Sequence, residues 1–136
     1  MSYIIELPTI PVMCSVVVGV EDVSKVVDSV EEKLGHKLTG RKCFGVSTED
    51  EKGLHYRACV AIRDEDNPAS LGLEVSVIPG GKYAKDRIRP WDYRKDVPRL
   101  IEKFEKMAQK YGADKTRPSI EFYRRHDDLI LYLPIK

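Results

Sequence analysis

Residues 23–35 read VSKVVDSVEEKLG and residues 100–112 read LIEKFEKMAQKYG, and the apolar spacing in these two stretches decides the fold. In the first, Val23, Val26, Val27, Val30 and Leu34 recur at i, i+3, i+4, i+7 and i+11, one stripe of an amphipathic helix. Glu21 and Asp22 stand at its positive end, and Gly35 follows its last turn, where a left-handed residue stops a helix. In the second, Val97, Leu100, Ile101, Phe104, Met107, Ala108 and Tyr111 form the stripe. Asp96 is placed to cap it, Pro98 suits the first turn and Gly112 ends it. The two terminal glycines are 77 residues apart, and that shift lays Val23 on Leu100, Val27 on Phe104, Val30 on Met107 and Leu34 on Tyr111.

Two amphipathic helices need an apolar surface to lie on, and the other segments read as strands. These are YIIEL (3–7), PVMCSVVVG (11–19), KCFGVS (42–47), HYRACVAI (55–62), LEVSVIPGGKYA (73–84), SIEFYRR (119–125) and LILYLPIK (129–136). After the short leading strand the order is strand, helix, strand, strand, twice over, which predicts a duplicated, two-fold pseudo-symmetric βαββ unit. The expected architecture is α+β, with an antiparallel sheet, the two main helices on one face and a ligand cleft on the other. RDEDNPASLG (63–72) is rich in turn residues and reads as a connector within one domain spanning 1–136. Gly80 and Gly81 lack the spacing of a phosphate loop and suggest a bend in a long strand.

Composition narrows the function. A chain of 136 residues with 42% hydrophobic content can bury a substantial core. A balance of 23 basic against 22 acidic residues argues against a protein whose main task is gripping a phosphate backbone. Cys14, Cys43 and Cys59 are far apart and odd in number, so they are read as small apolar strand residues rather than a disulfide or zinc set. No run is long and apolar enough for a bilayer and no leader stands before SYIIEL, so the expectation is a cytoplasmic protein without membrane partners.

In PSIEFY, strand alternation puts Ile120 and Phe122 on one face and Glu121 with Tyr123 on the other. LILYLPI has no polar alternation, which predicts a strand covered on both sides and so favours a sheltered Glu121 over an open one. RRHDD, with His126, Asp127 and Asp128, is read as a polar hairpin turn rather than an acid–base or metal site. Lys82 to Arg99 carries Lys82, Lys85, Arg87, Arg89, Arg94, Lys95 and Arg99 with Tyr83, Trp91 and Tyr93 interleaved, and is read as a solvated connection into the second helix.

The order IIELPTIPVMCSVVVG, CFGVSTED, HYRACVAI, VIPGGKYA, PSIEFY and YLPIK resembles the GyrI-like small-molecule-binding domain, the effector-binding domain of bacterial transcription activators. PGGKYA, PSIEFY and YLPIK are its most specific pieces. The resemblance implies a cleft that takes up bulky, cationic or amphiphilic aromatic compounds, with Glu121 facing the ligand. Tyr123, Tyr56, Tyr83 and Trp91 are the aromatic residues expected to complete the box, without metal or cofactor. It also implies two alternatives: a hydrolase of strained-ring electrophilic toxins using Glu121 with Tyr123 or Tyr56, and an interaction module acting on gyrase or a transcription regulator. Binding of a lipophilic cation is the expected role, in multidrug or toxin sensing or sequestration, with direct nucleic-acid contact not expected.

Overall fold

The computed structural model describes residues 2–92, 95–125 and 127–136. Nine strands form one antiparallel sheet: β1 (Tyr3–Leu7), β2 (Ile10–Cys14), β3 (Val18–Gly19), β4 (Cys43–Asp50), β5 (Gly53–Ala61), β6 (Glu74–Ile78), β7 (Gly81–Ile88), β8 (Ser119–Arg125) and β9 (Asp128–Pro134). Among the described residues three α-helices accompany them: α1 (Val23–Leu34), α2 (Pro68–Leu71) and α3 (Val97–Tyr111). The two long helices are those read from the apolar stripes, and Gly35 and Gly112 end them with φ of 53° and 77°. Asp96 sits at the N-cap of α3 without capping a backbone N–H of the helix with its side chain; its carboxylate accepts instead from the Asp92 N–H at 2.8 Å and pairs with Arg99 at 3.4 Å.

The strand order is β1-β7-β9-β8-β4-β5-β2-β6, with β3 also on β5. One half runs β2, α1, β4, β5 and the other β7, α3, β8, β9, so the halves meet where β4 pairs with β8. Val12, Cys14, Phe44, Cys59, Ile78, Tyr83, Ile120, Ile130 and Tyr132 form a single cluster, joined by Ile5 and Leu7. Strands from both ends of the sheet therefore share one core, which requires the sheet to curl around it. The other face carries two separate patches: Val26, Val30 and Leu34 of α1 pack on Met13, Ala58 and Val60, while Met107 of α3 packs on Ala84, Leu129, Leu131 and Leu133. All seven residues of β9 are buried, alternately under α3 and in the curled core, as the missing polar alternation of LILYLPI implied.

Three local readings are corrected. The long strand 73–84 is two strands: Pro79 has no N–H to continue the ladder, and Gly80 turns against Thr9, donating to its hydroxyl at 3.2 Å. The connector 63–72 holds α2, with Asn67 accepting from Ser70 N–H and Gly72 in the left-handed conformation, and Asp66 is buried against Arg41. Cys14 and Cys59 are not merely apolar: β2 and β5 place them directly opposite each other, Cα atoms 4.1 Å apart, and they form a disulfide. Their sequence separation of 45 carried no sign of that register. Disulfides are rare in a reducing cytosol, so the cytoplasmic expectation gains nothing from this bond. No described helix is long and apolar enough to cross a membrane.

Candidate functional site

The register of the central strands places Glu121. Gly45 of β4 stands opposite Glu121 of β8, Leu131 of β9 lies on the other side of Glu121, and Ala58 of β5 lies beyond Gly45. Side chains in one such row share a face. Leu131 belongs to the patch under α3 and Ala58 to the patch under α1, so Glu121 faces the helix-bearing side, on the seam between the two patches. The sequence reading had put the cleft opposite the helices. Alternation alone showed that Glu121 and Tyr123 share a face; only the register with β4 and β9 shows which one.

Two tyrosines converge on the carboxylate from opposite sides of the seam. Tyr123 packs against the α3 patch, and its hydroxyl donates to Glu121 Oε2 at 2.8 Å. Tyr56 packs in the α1 patch with 4% of its surface exposed, and its hydroxyl is buried with no partner at hydrogen-bonding geometry. Between them lies Gly45, where a Cβ would stand 2.7 Å from Glu121 Oε2 and equally close to Tyr56 Cε2 and Oη. The carboxylate and the phenol thus close over the same bare backbone. A glycine inside a strand commonly marks such a close approach, and this was the signal in KCFGVS left unused above.

Glu121 is half-buried by area yet closely surrounded by protein. Burial pushes its carboxyl above the usual carboxylate range, the Tyr123 hydrogen bond offsets part of that, and no cation contributes. Burial and then the charge of Glu121 push both the Tyr56 and the Tyr123 phenols up, so both keep their protons throughout the neutral range. The arrangement is an anion held at a cost, flanked by two phenols. Desolvating a carboxylate without a partner is expensive, and a positively charged guest is the direct remedy.

The remaining sequence candidates lie elsewhere. Tyr83 is fully buried on the curled-core face, where its hydroxyl donates to the Pro79 carbonyl at 2.5 Å and its ring meets Tyr132 edge-on at 6.2 Å. It is not at the seam. Trp91 is buried in the α3 patch, on the Tyr123 side. Asp128 is fully buried and pairs with Arg87, which ties the β8–β9 hairpin to β7. His126, Tyr93 and Arg94 lie outside the described residues. On the curled-core face an apolar hollow of about 160 Å³ is lined by Phe44, Ile120, Phe122 and Tyr132 with Lys42 beside them, and Glu121 is not part of it. A charged hollow of about 340 Å³ runs along α3 past Lys103 and Lys106, likewise without Glu121.

Set beside known proteins, residues 4–135 match the family described as integron-associated effector binding protein. No curated protein matches in sequence. Among solved structures, integron cassette protein VCH_CASS2 from the mobile metagenome of Vibrio cholerae aligns with a TM-score of 0.68 at 16% identity, over 99% of this chain and 95% of that one. SAV2435 bound to tetraphenylphosphonium aligns with a TM-score of 0.66 at 14% identity, over 100% and 94%. A hydrolase from Listeria innocua aligns with a TM-score of 0.61 at 13% identity, over 99% and 91%.

Proposed function

Since the chain belongs to the integron-associated effector binding protein family, we propose that it binds bulky, lipophilic aromatic cations over the seam between β4 and β8, with Glu121 as counter-charge. The observation that carries this reading is a desolvated carboxylate with a phenol hydrogen bond and no basic partner. A delocalised cation sheds its hydration cheaply, and each aromatic face adds about 0.5–2 kcal/mol of cation–π attraction. A structural relative holds tetraphenylphosphonium, a guest of this chemistry. Such binding suits sensing or sequestration of toxic compounds.

The test is calorimetric titration with tetraphenylphosphonium. Glu121→Gln keeps the shape and removes the charge; losing one member of a sheltered charge pair costs about 2–5 kcal/mol, so affinity should fall at least 30-fold. Wild-type affinity should also weaken as pH drops through the raised pKa of Glu121, because the cation competes with a proton. Equal affinity for both proteins would remove Glu121 from the site.

A second reading rests on the Tyr123–Glu121 hydrogen bond, a proton donor and a carboxylate 2.8 Å apart, and on the Listeria hydrolase of the same fold. Turnover of strained-ring electrophiles that disappears in Glu121→Gln would establish it. The stretch from Lys82 to Arg99, read above as a solvated connection, is in part β7, and its Tyr83 and Trp91 are buried.

A further inference from the structure

We infer that the seam site selects cations carrying N–H donors, such as protonated primary amines or amidinium groups, over fixed-charge quaternary cations, and that Tyr56 adds its own share to the selection made by Glu121. This rests on the binding reading above and sharpens it.

The inference comes from counting donors and acceptors. Tyr123 donates to Glu121 Oε2, and no described protein group bonds the other carboxylate oxygen, Oε1. Tyr56 is more than nine-tenths buried, and its hydroxyl has no partner at hydrogen-bonding geometry, the Tyr123 hydroxyl being the group beside it. Tyr56 Oη and Glu121 Oε2 each lie within 2.7 Å of one point above Gly45, so they are no farther from each other than twice that distance. A buried hydroxyl left without a bond carries a desolvation penalty, and native interiors rarely keep one without reason.

One arrangement satisfies all three groups. Tyr123 already donates its O–H to Glu121, so its oxygen is free to accept a hydrogen bond from the neighbouring Tyr56 hydroxyl after a small approach of the two rings. Tyr56 then presents lone pairs, Glu121 presents Oε1, and no donor faces the guest. Two convergent acceptors, one of them anionic, match a cation with at least two N–H bonds. A tetra-substituted ammonium or phosphonium supplies the charge but leaves both acceptors dry.

Size and charge alone would give the opposite preference. A primary ammonium is strongly hydrated, and an aromatic box recognising charge favours its trimethylated analogue, which enters water-free surroundings more easily. The two accounts therefore separate on one pair of probes, 3-phenylpropylammonium and its N,N,N-trimethyl derivative, titrated calorimetrically at pH 7.5. The expected result is a preference of about tenfold or more for the primary amine, one charge-assisted hydrogen bond being enough for that factor. In Tyr56→Phe, with folding checked by thermal melting, the ratio should fall severalfold, the remainder being the bond that Glu121 Oε1 still accepts. Equal or reversed affinities in the wild type, or a preference undiminished in Tyr56→Phe, would overturn the inference while leaving cation binding at Glu121 intact. If neither probe's binding depends on Glu121, the reading beneath it fails as well.

Discussion

Adding one methyl group at Gly45 tests the seam most directly. In Gly45→Ala the new carbon would stand 2.7 Å from Glu121 Oε2, Tyr56 Cε2 and Tyr56 Oη, where ordinary contacts begin near 3.4 Å. Something must retreat by at least the difference. Tyr56 is 4% exposed and wedged under α1, so it resists; the carboxylate is the end of a flexible chain and yields. Losing a strand glycine should stabilise the fold by about 0.5–1 kcal/mol, while overpacking costs about 1–3 kcal/mol. Overpacking wins, leaving a net loss of about 1 kcal/mol and a melting temperature roughly 4 °C lower. Moving the carboxylate breaks the 2.8 Å bond from Tyr123 and shifts the counter-charge, so tetraphenylphosphonium affinity should fall about tenfold or more. Calorimetric melting and titration of the same preparation read both effects. A variant as stable as the wild type, binding the cation equally well, would refute the reasoning, because neither Glu121 nor Tyr56 could then lie over Gly45.

Glu121→Gln should unfold at higher urea than the wild type at pH 7. The folded pKa of Glu121 is raised, so its ionised form destabilises the native state above that pKa, and the difference should vanish below about pH 4, where the carboxyl is protonated in both states. A Gln variant with a lower midpoint at pH 7 would contradict the sheltered carboxylate. Met107→Ala empties a site with 2% exposure under α3 and should cost about 3 kcal/mol in urea unfolding; a loss below about 1 kcal/mol would mean that α3 does not anchor there. Reducing the Cys14–Cys59 disulfide releases a loop of 45 residues and should lower stability by about 2–4 kcal/mol, with intact-mass spectrometry confirming the gain of two hydrogens; an unchanged midpoint would count against the cross-link.

Much of this fold could be read from the chain because its signals are periodic. The stripes ending at Gly35 and Gly112 located α1 and α3, and the unbroken apolar run of β9 announced two covered faces. The GyrI-like resemblance drawn from PGGKYA, PSIEFY and YLPIK agrees with the family match. What escaped depends on register, which no local pattern encodes. The pairing of Cys14 with Cys59, the face chosen by Glu121 and the meeting of Glu121 with Tyr56 all follow from which residue stands opposite which across β2, β5, β4 and β8. Tyr83 was expected among the aromatic residues of the box, yet its parity sends it into the curled core. Nothing local in the turn-rich connector marked Asp66 for burial, because its partner Arg41 comes from 25 residues away.

The seam has one more implication. β4 and β8 occupy the same place in their respective halves and run side by side in opposite directions, so any two-fold axis relating the halves pierces the sheet near the row that joins Gly45 to Glu121. Groups facing one another across an axis compete for a single volume. Twin acids there would repel and twin glycines would leave a void, so a bare hydrogen on one side is the condition for a carboxylate on the other. At that spot two strands with matching places in the sheet carry unlike residues, and the room for the carboxylate originates in the mismatch.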